Sequence, residues 1–480
     1  MQNYEHDKYE SPFCSRYASK EMLYIFSQEK KFITWRKLWV ALAEAELELG
    51  LPITKEQIKE LKDNINIIDY DIIKKREKIV KHDVMAQIYA YAKQCPNAAK
   101  IIHLGATSCY VTDNSSIIMM KEGLKLIKKK LVGVMHLLYD FALLFKDLPC
   151  LSYTHLQPAQ LTTVGKRACL WLQDFYLDYE EISRIILNLK LLGSKGATGT
   201  QASFLALFKN DVNKVEELEK KIAEKMGFLK TIDISGQTYT RKIDFNICSV
   251  LCAFAQSAMK FSGDIRILQS FKEVEEPFEE NQIGSSAMPY KKNPMRSERI
   301  TAISRYVITN LQNLAFTAAT QWFERTLDDS ANRRIVIPES FLAVDSILNI
   351  LLNVCSGLVV NEKIIEKRVL KELPFMATEN IMMIATKNGA NRQQIHERLR
   401  QHSIKAAQTV KKEGKPNDLI ERIVADETLN VNEKDLNSVL NPKNYIGLSS
   451  YQTEKFLKNV IKPILQENSD EYVKNVELLV

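Results

Sequence analysis

Very long helical runs in the middle of the chain constrain its fold more than any other feature. Apolar residues recur at helical spacing in stretches such as LVGVMHLLYDFALLF and ICSVLCAFAQSAMKF, and they cover more than one face. A helix that is apolar on several faces has to be enclosed by other helices, so the runs predict a bundle of about five long helices, also buried against other subunits. The runs span residues 115–145, 163–191, 212–226, 244–276, 295–323 and 337–360.

Shorter helical segments flank these runs on both sides. Glycine and proline are scarce, with 16 and 13 of 480 residues, which disfavours a β-sandwich or barrel. Ser19 is a candidate helix N-cap, and Thr54 with Gln57 three residues later is typical of a capping box. We expect an all-α protein of three helical domains: an N-terminal domain (1–110), the long-helix bundle (111–361) and a C-terminal domain (362–480).

The charge balance and the cysteines limit the partners and the compartment. A net charge of +7, from 66 basic and 59 acidic residues, is spread along the chain. This disfavours a nucleic-acid binder, which needs a concentrated basic face, and suits an anionic small molecule. The eight cysteines include no CxxC pair, which suits a reducing cytoplasm. Cys248 and Cys252 are one turn apart but have no His or further Cys nearby in sequence, so we expect no metal site.

Neither the most apolar window nor the opening residues predict a membrane or export segment. The window 337–360 contains four polar residues, which would be costly in hydrocarbon: Glu339, Asp345, Asn349 and Asn353. The opening stretch MQNYEHDKYESPF has charges of both signs and no apolar run, unlike a secretory signal or a transit peptide. We therefore expect a soluble cytoplasmic protein that does not bind membranes.

Compact polar islands between the helices hold the candidate chemistry. They are KHDVM at 81–85, HLGATS at 103–108, THLQPAQ at 154–160, SGQTYTR at 235–241, GSSAMPYKKNP at 284–294 and WFERTLDDSANRR at 322–334. Three of the seven histidines, His82, His103 and His155, lie in them. The chain lacks a phosphate-binding glycine loop, HExxH and GxSxG. Acid/base groups, amides and cations instead suit elimination from an anionic substrate at a composite site.

The island at 284–294 breaks the helical pattern most strongly. Gly284 frees the backbone beside two serines, while Lys291, Lys292 and Asn293 offer cations and an amide to an anion. A serine is a poor base unless cations and backbone amides stabilise its alkoxide. On these residues alone a solvated connector remains an alternative to a mobile catalytic loop.

Three islands together resemble a known superfamily. The loop GSSAMPYKKNP, with HLGATS and THLQPAQ before it in order, resembles the conserved regions of the fumarase, aspartase and argininosuccinate lyase superfamily. Stretches along nearly the whole chain, from SPFCSRYAS through KHDVMA, GQTYTRK and WFERTLDDSANRR to ELPFMATENI, are similar to eukaryotic members of its adenylosuccinate lyase family. The resemblance implies a cofactor-free carbon–nitrogen lyase of purine biosynthesis. It also implies a homotetramer with active sites shared between three subunits, and nucleotide substrates.

The resemblance also implies roles for individual residues. His155 matches the general acid, Ser285 the general base, and Glu298 the carboxylate that orients the acid; Ser286 is the alternative base. Lys291 and Asn293 match groups that hold the substrate carboxylate on which charge develops. The remaining matches are with the succinyl group (Thr107, Ser108, Thr154, Gln237), with the lining of the site (His82, Asp83, His103), with the nucleotide and phosphate (Arg16, Tyr17, Arg325, Ser330, Arg334) and with the substrate (Arg299).

Two other functions remain open on the sequence. Another lyase of the superfamily, such as argininosuccinate lyase or fumarase, shares the loop but does not need the phosphate-directed residues Arg325, Ser330 and Arg334. A member that has lost catalysis and serves as a structural protein would not need Ser285 and His155. At position 292 relatives often have Arg, and Lys keeps the charge there but loses bidentate geometry.

Overall fold

Helices dominate the computed structural model, which describes residues 7–431, 436, 439–469, 472, 473 and 478. The all-α prediction is confirmed. The α-helices are α1 (Lys20–Ile25), α2 (Gln28–Glu48), α3 (Lys55–Asp63), α4 (Tyr70–Val80), α5 (Asp83–Gln94), α6 (Ser108–Leu144), α7 (Val164–Asn188), α8 (Ala202–Leu207), α9 (Val212–Lys225), α10 (Lys242–Ser270), α11 (Met295–Ala319), α12 (Asp328–Ser356), α13 (Glu362–Met376), α14 (Thr378–Lys387), α15 (Arg392–Glu413), α16 (Leu419–Val424), α17 (Ser449–Phe456) and α18 (Lys462–Glu467). Two short antiparallel pairs accompany them: β1 (Pro149–Thr154) with β2 (Gln157–Thr163), and β3 (Val274–Glu275) with β4 (Val359–Val360).

The five longest helices of the central region form the bundle. Helix α6 packs against α7 and α12, while α10 packs against α7, α11 and α12. Side chains such as Phe254, Phe261 and Phe341 are completely buried between them. The predicted bundle is confirmed, and the remaining run forms α9, which packs against α2 instead.

Two of the long helices begin earlier in the chain than the hydrophobic pattern predicts. Helix α6 begins at Ser108 and not at 115. Its first turns contain the polar residues Asp113 and Asn114, which can be buried there because their side chains form hydrogen bonds with neighbouring loops. Helix α12 begins at Asp328 and not at 337, so it includes the second half of the island 322–334. Polar side chains that bond to other segments therefore hid about two turns at the start of each of these helices from the hydrophobic pattern.

The helices of the N-terminal region share the core of the bundle. Trp35 and Trp39 of α2 are buried in the same cluster as the bundle residues. The predicted Ser19 cap and the Thr54–Gln57 capping box are both present. Helices α14 to α16 instead surround a second cluster, which includes Ile381, Leu399 and Leu419. The boundaries at 110/111 and 361/362 remain predictions.

Helix α12 is long and apolar enough to cross a membrane by length and composition, but 83% of its most apolar window is buried inside the protein. Its polar residues explain this placement. The Asp345 carboxylate pairs with the buried Lys130 ammonium of α6 and accepts the Ser19 backbone N–H at 2.6 Å. Lys130 Nζ also donates to Asn349 Oδ1 at 2.8 Å. These contacts tie α12 to α6 and α1.

Replacing Asp345 by Ala should destabilise the protein strongly. The change leaves the Lys130 ammonium buried without its carboxylate, which costs about 3–5 kcal/mol in comparable sites. Denaturant unfolding followed by circular dichroism measures the loss. The control is Glu366→Ala, which removes an exposed pair with Lys363 and should leave the unfolding midpoint unchanged. Equal midpoints for the two variants would contradict the role given to Asp345.

Candidate active site

A cavity of about 910 Å³ lies where the N-terminal ends of α5, α6 and α12 meet. Helix N-termini carry partial positive charge and unpaired N–H groups, so their convergence favours an anion. Arginine side chains add full positive charge to this end of the bundle. The cavity brings together six of the residues predicted from the sequence: His82, Asp83, Ser108, Arg325, Ser330 and Arg334.

Hydrogen bonds fix the orientation of several groups in the cavity. The N-cap residue His82 accepts the Met85 backbone N–H at Nδ1, at 3.4 Å, and its Nε2 forms a hydrogen bond with Ser108 Oγ, at 3.3 Å. Arg334 Nη2 donates to Asp83 Oδ2 at 3.1 Å. The His82 ring and the Arg334 guanidinium are thus held by neighbours while they line the cavity.

His103 lies close to this cavity as a neutral imidazole. The Trp39 indole N–H donates to its Nδ1 at 2.9 Å, which leaves the proton of the ring on Nε2. Burial lowers the pKa of His103 to about 4. His103 can therefore donate a hydrogen bond at neutral pH but cannot supply a positive charge.

Thr107 and Gln237 do not line the cavity themselves but lie next to residues that do, Ser108 and Cys109. Thr107 is the N-cap of α6, although its side chain does not bond to the helix. The Gln237 backbone N–H donates to the Glu324 carbonyl at 3.0 Å, and the Cys109 thiol donates to Gln237 Oε1 at 3.5 Å. Burial raises the pKa of Cys109 to about 11, so it remains a thiol donor. Sequence reasoning missed Cys109, and its place directly after Thr107 and Ser108 was the available signal.

A buried ionic network supports the same end of the bundle, and sequence reasoning missed it. Arg241 donates to Asp113 with Nη1 at 2.9 Å and to Asp329 with Nε at 2.6 Å. Arg333 donates to Asp244 at 2.6 Å, and Asp329 also lies 3.9 Å from Arg325. These contacts join α6, α10 and α12, so they position the first turns of α12 that carry Ser330 and Arg334.

The predicted general acid lies at the tip of the β1–β2 hairpin, away from the cavity. Sequence reasoning predicted an island but no strands here. His155 and Leu156 have φ of 53° and 56°, the left-handed geometry of a two-residue hairpin turn. Close to the tip of the hairpin, Arg368 donates to the Tyr153 hydroxyl at 2.9 Å. Thr154 and His155 are exposed, and in the described part of the chain the His155 imidazole has no hydrogen bond.

The predicted base lies in the loop that precedes α11. Ser285 Oγ accepts the backbone N–H groups of Ala287 and Met288 at 3.4 and 3.2 Å. The neighbouring Ser286 is exposed and makes no such bond among the described residues. Two N–H donors aimed at one hydroxyl oxygen would stabilise its alkoxide, which favours Ser285 as the base.

Asn293 braces this loop with one N–H of its side-chain amide, and the second N–H has no partner among the described residues. Its amide N–H donates to the Gly284 carbonyl at 2.7 Å, which closes the loop on itself. A Cβ on Gly284 would lie 2.2 Å from the Lys291 carbonyl, so only glycine permits this approach. Lys291 is exposed beside the loop, and Glu298, in the first turn of α11, lies 3.9 Å from Arg266.

Arg16, Tyr17 and Arg299 form a group near the start of α11. The Arg299 guanidinium lies 5.6 Å from the centre of the Tyr17 ring. The Tyr17 carbonyl accepts the Asn349 amide at 3.3 Å, and Arg16 is exposed on the same helical turn, Phe13–Tyr17. This group lies with the Ser285 loop and not with the cavity.

Helix length separates the cavity from the other two groups of predicted residues within one chain. Helix α11 has 25 residues and lies between the Ser285 loop and Arg325, a distance of about 37 Å at ~1.5 Å per residue. Helix α6 has 37 residues and places Ser108 about 55 Å from the start of the His155 hairpin. The cavity therefore does not form one site with the hairpin tip or with the loop inside a single chain, whereas the hairpin and the loop both lie at the opposite end of the bundle.

Comparison with known proteins supports one family along the whole chain. The family model described as Lyase matches residues 5–309, and the model described as Adenylosuccinate lyase C-terminus matches residues 374–456. Adenylosuccinate lyase of Saccharomyces cerevisiae is 50% identical over 98% of this chain and 99% of its own. The chain belongs to the adenylosuccinate lyase family. Its Schizosaccharomyces pombe member is 49% identical over 96% of each chain, and the Schistosoma mansoni member is 45% identical over 97% of this chain and 98% of its own.

Solved structures support the same fold for this member of the family. The 3-carboxy-cis,cis-muconate lactonizing enzyme of Pseudomonas putida superposes with a TM-score of 0.81, covering 93% of this chain and 98% of its own, at 21% identity. A fumarate lyase from Mesorhizobium sp. BNC1 superposes with a TM-score of 0.78, covering 94% and 100%, at 21% identity. At these identities the likeness concerns the fold alone.

Replacing Gly284 by Ala should impair activity without unfolding the protein. The new Cβ would clash with the Lys291 carbonyl and so shift the backbone that carries Ser285. A displacement of about 1 Å can cost about 10²-fold in rate. Steady-state kinetics measures the effect. The control is Gly263→Ala on α10, whose Cβ would meet nothing within 4 Å and which should keep wild-type kinetics. A fully active Gly284→Ala variant would contradict the close approach in the loop.

Proposed function

We propose that the protein cleaves adenylosuccinate to AMP and fumarate, and succinyl-aminoimidazole-carboxamide ribotide to its carboxamide product and fumarate, in purine biosynthesis. This makes it a carbon–nitrogen lyase. The observation that carries the proposal is the cationic cavity where Arg325, Ser330 and Arg334 meet three helix N-termini. An arginine fork and N–H groups at helix ends are the usual ligands of a phosphate group.

The same cavity distinguishes this proposal from the other lyases of the superfamily. Fumarase and argininosuccinate lyase act on substrates without phosphate, and a site for them does not need this concentration of cations. The volume of about 910 Å³ lies within the range of small-molecule sites and leaves room for a nucleotide.

The proposed chemistry is a β-elimination by residues of the chain alone. Ser285, as an alkoxide, takes a proton from the β-carbon of the succinyl group. Those electrons form the C=C bond of fumarate as the C–N bond breaks, and His155 gives its proton to the leaving nitrogen. Glu298 orients His155, while Lys291 and the Asn293 amide stabilise the carboxylate that gains charge. The two backbone N–H groups on Ser285 Oγ support its role.

The separation of the cavity from the hairpin and the loop supports sites shared between subunits. We propose a homotetramer in which each site is completed by three subunits. Large apolar side chains are exposed beside each group, which is typical of surfaces that other subunits cover. They include Leu156 at the hairpin tip (70% exposed), Ile283 and Tyr290 in the loop (77% and 83%), and Trp322 and Phe323 before α12 (72% and 100%). In such an assembly the exposed His155 would gain partners that the described residues of one chain do not offer it.

The proposed arrangement also gives each predicted domain a part in the site. The N-terminal domain (1–110) would contribute His82 and His103, the bundle (111–361) the loop, the hairpin and the arginines, and the C-terminal domain (362–480) would support the hairpin through Arg368. Seven of the eight cysteines are buried and all are free, which agrees with the proposed cytoplasmic location.

Purified protein should convert adenylosuccinate to AMP and fumarate, and Ser285→Ala or His155→Ala should lower kcat by about 10²–10⁴-fold, the usual contribution of a general base or acid. Absorbance and product chromatography measure turnover. Ser286→Ala is the matched control, because Ser286 lies beside the base without its two N–H contacts, and it should keep most of the activity. A folded protein without turnover would refute the function, whereas loss in Ser286→Ala alone would move the base to Ser286.

A further inference from the structure

Lys31 lines the cavity beside the predicted phosphate residues, yet nothing in the sequence motifs pointed to it. It lies in the first turn of α2, where the helix dipole disfavours a cation. Its ammonium rests 5.1 Å from the centre of the Trp35 ring and 5.2 Å from that of Phe32. Two aromatic faces therefore hold a charge at a position that does not stabilise the helix.

No carboxylate pairs with the Lys31 ammonium in the part of the chain that the structure describes. The adjacent Lys30, by contrast, forms an ion pair with Glu122 at 2.7 Å. The carboxylates that act electrostatically on Lys31 are those of Asp83 and Glu77, and Asp83 already accepts a hydrogen bond from Arg334. Burial lowers the pKa of Lys31, with Arg334 adding to the effect and the two carboxylates opposing it. A largely buried cation without its own anion is costly unless a ligand supplies one.

We propose that Lys31 is a further substrate-binding residue whose ammonium contacts the phosphate of the nucleotide. This rests on the proposed function. The cavity that Lys31 lines contains Arg325, Ser330 and Arg334, and also Ser108, which matches the succinyl group. Of these residues, Arg334 is the one whose charge acts on the Lys31 ammonium, so Lys31 lies on the side of the phosphate residues. The position of Lys31 therefore favours the phosphate over the succinyl carboxylates, and the Trp35 and Phe32 rings fix the ammonium in advance of binding.

Lys31→Met should raise KM for adenylosuccinate by about ten- to a hundredfold, the effect of losing one hydrogen bond to a charged group, while kcat stays nearly constant. Lys31→Arg keeps the charge and should recover most of the affinity. The matched control is Lys30→Met, which removes the neighbouring lysine and its pair with Glu122 and should leave KM unchanged. Lys31→Gln repeats the test if the Met variant does not fold, as judged by circular dichroism.

Calorimetry with AMP, adenosine and fumarate separates the phosphate from other contacts. Lys31→Met should weaken binding of AMP and leave that of adenosine and fumarate unchanged. Unchanged AMP affinity would overturn the proposal, and weaker fumarate binding alone would assign Lys31 to the succinyl side instead. If wild-type protein bound AMP through Lys31 but did not cleave adenylosuccinate, the proposed function would fail while the role of Lys31 would stand.

Discussion

The rigidity of the long helices is the constraint on which the rest of the molecule depends. Helix α11 cannot shorten, so the 25 residues between the Ser285 loop and the Arg325 cavity keep these groups about 37 Å apart in one chain. A single fold thus places the proposed phosphate end at one end of the bundle and the proposed base and acid at the other. Assembly of several copies can bring one of each together, and the apolar side chains beside each group offer the surfaces for it.

Buried ion pairs, as well as apolar packing, stabilise the end of the bundle that carries the cavity. Three aspartates and two arginines are largely or fully buried in one network, and such groups are stable only when they satisfy one another. Asp329 joins this network to the surface, because it accepts from Arg241 and lies 3.9 Å from Arg325. The network therefore fixes the backbone of α12 while its outer cations remain directed at the cavity.

Much of the fold followed from the sequence, since periodic apolar residues predicted the bundle, and Ser19 and Thr54 correctly marked helix starts. The β-hairpin at His155 escaped prediction because its turn depends on left-handed backbone that no glycine marks. The motifs indicated which residues matter, but their separation depends on helix length and direction, which motifs do not contain. The contacts of His103 with Trp39 and of Lys31 with Trp35 could not be predicted, because in the sequence both tryptophans fit the pattern of ordinary core residues.

Mixing two inactive variants tests the shared site most directly. His155→Ala and Ser285→Ala proteins, unfolded and refolded together or co-expressed in equal amounts, should recover up to about a quarter of wild-type activity, because each site draws its acid and its base from different subunits at random. Neither variant should recover activity when treated alone. If verified mixed tetramers showed no activity above that of the separate variants, the acid and the base would belong to one chain and the account would be wrong.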